Sequence, residues 1–122
     1  MLDLFPRTSG TLQWIVGNAI EITSVPSHAD RVLDLVENPS YGKSRQMLVM
    51  ALRRIGKKSE RTVSVLKGVV EDHSVAAQAL AVLASLDPAG SIELIEVAAN
   101  HSDGGISAAA KKALSAARKK IA

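Results

Sequence analysis

The 122-residue chain contains no cysteine and only three aromatic side chains, Phe5, Trp14 and Tyr41. Without cysteine there is no disulfide framework, no thiol nucleophile and no thiolate metal site, and the composition suits a reducing compartment, so a cytoplasmic protein is expected. With so few aromatics the core has to be filled by Leu, Ile, Val and Ala, which favours closely packed helices over a β-sandwich rich in bulky and β-branched residues. Long hydrophobic runs are missing too. The apolar stretch Val75–Leu86 is stopped by Asp87 and Pro88, well short of the roughly 20 residues that cross a bilayer, so no membrane partner is expected. At 47% hydrophobic and 22% charged residues, the chain has the makings of one folded domain.

Periodicity and capping signals predict seven helices and no strand. The first spans about 11–23, with Leu12, Ile15, Val16, Ala19 and Ile20 on one stripe. The second is short, with Ser27 and Asp30 in capping-box spacing and Val32, Leu33 and Val36 inward. The third, about 41–55, ends at Gly56, read as a left-handed cap. The fourth starts at Ser59 and buries Val63, Leu66, Val69 and Val70. The fifth is the apolar stretch after Asp72 and Ser74, with Gln78 and Ser85 nearest water. The sixth follows Asp87 and Pro88 and buries Leu94, Ile95 and Ala98. The seventh begins near Gly105 and carries Ile106, Ala110, Ala113, Leu114, Ala117 and Ile121.

These helices repeat. Ile20, Leu52, Leu83 and Leu114 recur at intervals of 32, 31 and 31 residues. One position earlier stand Ala19, Ala51, Val82 and Ala113, and four earlier stand Val16, Leu48, Ala79 and Ala110. Asp72 and Asp103 also coincide, each just ahead of an odd-numbered helix. A period of about 31 residues holding two short helices is the mark of a helical solenoid, because one hairpin cannot bury its own apolar face.

The segments YGKSRQMLVMALRRIG and HSVAAQALAVLASLDP look like HEAT repeats of the short, alanine-rich bacterial type, and the resemblance covers about 11–121. It implies an all-α, right-handed α-solenoid of about three helix pairs plus a final helix, with repeats at about 11–38, 41–71, 73–100 and 104–121. Arg45 stands where this family often has arginine, whereas the aspartate–arginine ladder of the longer eukaryotic form is not plain in the sequence. MLDLFPR reads as a cap on the first repeat or the remnant of a preceding helix, so a longer array is expected. The last helix has no sequence partner and offers a surface for oligomerisation, with Lys111, Lys112, Arg118, Lys119 and Lys120 on its outer side.

No constellation points to catalysis. His28, His73 and His101 lie too far apart in sequence for a metal motif, the serines have no nucleophile setting, and Gly104 and Gly105 are not followed by a phosphate-binding lysine. Trp14 reads as a packing residue. No catalytic residue, metal ligand or cofactor is expected. An enzyme of the base-excision kind would need a carboxylate among aromatics, which this chain does not supply.

Charge carries the functional signal. Residues 1–40 hold two basic and five acidic side chains, residues 41–67 eight and one, residues 68–105 none and six, and residues 106–122 five and none. One reading of the band Lys43, Arg45, Arg53, Arg54, Lys57, Lys58, Arg61 and Lys67 is a phosphate-tracking surface for nucleic acid, which some proteins of the resembled class possess. The basic side chains cluster at a turn, however, and base-stacking aromatics are missing. The favoured expectation is a protein-interaction scaffold. On its second helices Arg31 and Asp34, then Arg61 and Lys67, then Glu93 and Glu96, form an acidic–basic–acidic groove floor that selects a protein or peptide partner.

Overall fold

The computed structural model describes all 122 residues, and every regular element in it is helical. The seven α-helices are α1 (Gly10–Thr23), α2 (Ala29–Val36), α3 (Gln46–Ile55), α4 (Glu60–Val69), α5 (Ala76–Leu86), α6 (Pro88–Ala99) and α7 (Gly104–Ile121). Short 3-10 segments at Phe5–Arg7, Pro26–His28 and Pro39–Arg45 precede α1, α2 and α3.

The odd-numbered helices lie side by side: α1 packs on α3, α3 on α5, and α5 on α7. Each even helix packs against neighbouring odd ones, α2 on α3, α4 on α5, and α6 on both α5 and α7. One continuous apolar core runs through the stack. Of the recurring anchors, Ile20, Leu52 and Leu83 are buried and Leu114 is half-buried, while Val16, Leu48, Ala79 and Ala110 are all buried. Small residues at these contacts bring helix axes close, and α5 shows the effect most fully. Ala76, Ala79, Leu80, Val82, Leu83 and Ala84 are all buried because α3 and α7 enclose the helix from two sides. Gln78 and Ser85, expected nearest water, are only half-buried, and Ala77 is the exposed position instead.

Several local expectations are corrected by side-chain chemistry. The α1 stripe is not uniformly inward, since Val16 and Ile20 are buried together with Gln13 and Gly17, whereas Leu12 and Ile15 are exposed. Gln13 is admitted to the core because its amide donates to the carbonyls of Phe5 (3.0 Å) and Thr8 (2.9 Å). The residues before it do act as a cap: Leu2 and Phe5 are buried, and Phe5 meets Tyr41 edge to face at 5.2 Å. Ser27 does not cap α2. The ring of His28 folds back instead, and its Nδ1 accepts from the Val25 N–H at 3.1 Å. The third helix starts later than expected, at Gln46, because Gly42 adopts φ +51° and kinks the chain ahead of it. In α4, Val65 is buried while Val63 and Val69 are half-buried.

Gly56 ends α3 without left-handed geometry, its φ being −98°. Its lack of a side chain serves packing: a Cβ there would lie 2.7 Å from Thr62 Oγ1 and 2.9 Å from the Leu52 carbonyl. The C-terminal end of α1 is closed by Arg54, which donates to the carbonyls of Ser24 and Glu21, both at 2.6 Å. A cation in that place also complements the helix dipole.

Candidate functional site

The six residues expected to face a partner all stand on even helices and all reach solvent, but their pairing alters the charge pattern. Asp34 and Arg61 are brought together at 2.6 Å. Glu37 joins the same guanidinium at 2.6 Å and Asp30 at 3.4 Å, so one arginine from α4 is enclosed by three carboxylates from α2 and its C-terminal edge. Hydrogen bonding to Asp34 first, and then to Glu37, raises the Arg61 pKa further above its ordinary value. Arg31 is bound to Asp3 in the N-terminal segment. Lys67 reaches the Gly90 carbonyl (3.1 Å) and Asp87 (3.7 Å) across the α4–α6 interval. Glu93 and Glu96 are exposed on α6 and form no ion pair.

The expected basic centre of the floor is therefore satisfied from within, and the free charge that remains on this side is acidic. The even helices carry Asp30, Asp34, Glu60, Glu93 and Glu96 against Arg31, Arg61 and Lys67. On the odd helices the balance is reversed, with seven basic residues and Glu21 alone as an acid. Asp30 and Glu37 were legible as partners only through their spacing with Asp34, which sets all three along one side of a helix and its exit.

Arg45 occupies a different environment from the rest of the basic band. It is buried at the start of α3, donating to the Val36 carbonyl at 2.7 Å, the Gly42 carbonyl at 2.9 Å and Ser74 Oγ at 3.1 Å, and pairing with Asp72. An aspartate–arginine ion pair thus joins the N-terminal end of α3 to the turn ahead of α5. Burial works against ionisation of Asp72, but hydrogen bonds from the Ser74 hydroxyl, from Arg45 and from the Ser74 N–H outweigh it and hold the pKa at about 2. Since Arg45, Arg54, Arg61 and Lys67 are all engaged internally, Lys43, Arg53, Lys57 and Lys58 are what the band leaves free of such bonds.

The fold also assembles two histidines that lie far apart in sequence. His73 and His101 stand with ring centroids 6.1 Å apart, each held by its own carboxylate: His73 Nδ1 lies 2.9 Å from Asp103 and His101 Nε2 lies 3.1 Å from Glu71. His101 Nδ1 accepts from the Asp103 N–H at 2.9 Å. Asp103 caps α7 by accepting from the Ile106 N–H at 2.9 Å, and this bond leads the causes that lower its pKa. The cluster does not converge on a common point as metal ligands would. It ties the two turns ahead of α5 and α7 to each other. Trp14 is more exposed than a packing residue should be and borders an open cleft of about 600 Å³ with Lys43, Ser44 and Gln46.

No helix is long and apolar enough to cross a membrane. Comparison of the chain with protein-family models, curated proteins and solved structures finds no match in any of the three.

Proposed function

We propose that the chain is a non-enzymatic interaction scaffold, a right-handed α-solenoid of HEAT-like repeats whose even-helix side receives a protein or peptide partner. The observation that carries this reading is the division of charge between the two sides of one rigid stack. Helices that pack through alanine and leucine leave little freedom at the interfaces, so the even helices present their outer residues at fixed separations. Arg61 and Lys67 are occupied by the chain's own carboxylates, and Glu93 and Glu96 stand free for incoming cations. The partner of best fit is a segment carrying lysine or arginine, steered by the acidic side and repelled by the basic one.

The test is a titration of fluorescein-labelled oligolysine and oligoglutamate peptides against the protein and its Glu93→Lys, Glu96→Lys double variant. Oligolysine binding that weakens at least tenfold in the variant supports the reading. Equal binding by both proteins, or binding of oligoglutamate in place of oligolysine, sinks it.

A nucleic-acid module built on Lys43, Arg53, Lys57 and Lys58 is the alternative. It rests on the free cations around the α3–α4 turn, fewer than the eight basic residues of the sequence band. Duplex or RNA binding with a steep decline in affinity as salt rises would support it; no binding at low salt would remove it.

A further inference from the structure

Seven of the nine large hydrophobic side chains that the molecule exposes lie within its first 25 residues. Single exposed apolar residues are ordinary on a protein surface, whereas a contiguous set marks an interface. Three of the seven share one stripe of α1. Leu12, Ile15 and Ile22 are 57%, 53% and 74% exposed, and with the half-buried Ala19 they follow a three-four-three spacing along one side of α1. That spacing is the seam by which one helix packs on another.

The seam lies on the flank of α1 away from its buried residues Gln13, Gly17 and Ile20, with the buried Val16 at its inner edge beside Leu12 and Ala19. Both α1 and α5 carry apolar residues on more than one side, but α5 is enclosed by α3 and α7 while α1 has only α3 beside it in the layer. We propose that this open face of α1 is a self-association surface, on which α1 of a second copy of the chain packs antiparallel about a two-fold axis.

Three observations select a second copy. The flanking side chains Thr11, Asn18 and Thr23 are polar but uncharged, and Glu21 is the one ionisable residue on the helix, so two copies of the face meet without like-charge repulsion. The opposite end of the stack is unsuitable for a head-to-tail contact. There the outer side of α7 exposes Lys111, Lys112, Arg118 and Lys119, which would be buried without partners against an apolar seam. Area agrees as well. From their exposures, Leu12, Ile15, Ala19 and Ile22 present on the order of 350 Å² of apolar surface, about two thirds of the apolar share of a homodimer interface of about 800 Å² per partner.

The proposal is independent of the even-helix reading, because α1 belongs to the other layer. It is tested by sedimentation velocity on the full chain from about 1 to 200 μM, alongside the variants Ile15→Glu and Ile22→Glu. The wild type is expected to dimerise within that range, and each variant to remain monomeric with an unchanged circular dichroism spectrum. Because the chain has no cysteine, Asn18→Cys supplies a unique thiol beside the proposed axis and is expected to oxidise to a cross-linked dimer far faster than Ser115→Cys at an exposed position of α7. A wild type that stays monomeric at 200 μM overturns the proposal. So does a dimer that survives both glutamate variants, or equal cross-linking at positions 18 and 115.

Discussion

Replacing Arg45 with methionine keeps most of the side-chain volume and removes all of its hydrogen bonds. In the wild type the guanidinium holds Asp72 in the turn ahead of α5, the carbonyls of Val36 and Gly42, and the Ser74 hydroxyl, and it is almost wholly buried. The carboxylate half of the interaction can be sized from Asp72, whose pKa falls from an ordinary 3.8 to about 2. At about 1.4 kcal/mol per unit this is worth about 2 kcal/mol at most, since Asp72 keeps some contact with screening water, and it is shared between Arg45 and Ser74. The two stranded carbonyls add about 1–3 kcal/mol between them. The expected loss is about 3 kcal/mol, measured by urea denaturation at pH 7, a large fraction of the stability of a domain this size.

The pH dependence supplies an independent check. Asp72 has a folded pKa below its unfolded one, so its contribution is fully present above about pH 4 and is lost as pH falls through about 2. The gap between wild type and Arg45→Met is therefore expected to narrow over that window, and Asp72→Asn is expected to remove most of the remaining dependence. A destabilisation under 1 kcal/mol at pH 7, or a gap that stays constant from pH 5 to pH 2, would refute the view that this pair fastens the start of α3 to the turn ahead of α5.

Three further outcomes follow from single contacts. Thr62 is fully buried and its Oγ1 has no hydrogen-bond partner, so Thr62→Val is expected to raise stability by about 1 kcal/mol in the same denaturation assay. Gly56→Ala is expected to lower it by about 1–3 kcal/mol, since the added methyl collides with Thr62 and with the Leu52 carbonyl; combining it with Thr62→Ala should recover part of the loss. Asp103→Ala removes the cap on α7 and the partner of His73, and hydrogen exchange should show faster exchange of the Ile106 amide with little change at Ala113.

The repeat anchors were readable because burial imposes a period that survives in a single sequence: Leu48, Leu52, Ala79 and Leu83 fall where the spacing puts them. Two kinds of feature were not. Caps depend on which polar group reaches which N–H: Ser27 leaves α2 without a side-chain cap, and the His28 ring turns to the Val25 N–H upstream, a rotation that no spacing announces. Gly56 follows a helix, a place where glycine is more often needed for its backbone freedom, yet its φ of −98° is ordinary and what it supplies is room for Thr62. At the candidate site the identities and exposure of Arg31, Asp34, Arg61, Lys67, Glu93 and Glu96 were legible, but their net effect was not. Arg61 could be counted as a free cation only until the fold placed Asp30, Asp34 and Glu37 around it. Trp14 shows the reverse error, because apolar neighbours in the sequence do not say which side of α1 a neighbouring helix covers.

The stacking order also bears on how the chain reaches its structure. Extensive packing joins elements no more than two helices apart, as α1 with α3 or α5 with α7, and nothing comparable links the two ends. Short sequence separations keep the entropic cost of closing each contact low, which favours rapid folding. Each odd helix can also dock on the one before it as the polypeptide leaves the ribosome, without waiting for the C-terminus to be made. In that order α3 packs on α1 and α2 soon after synthesis, and Arg45 remains without its carboxylate until the chain has grown as far as Asp72.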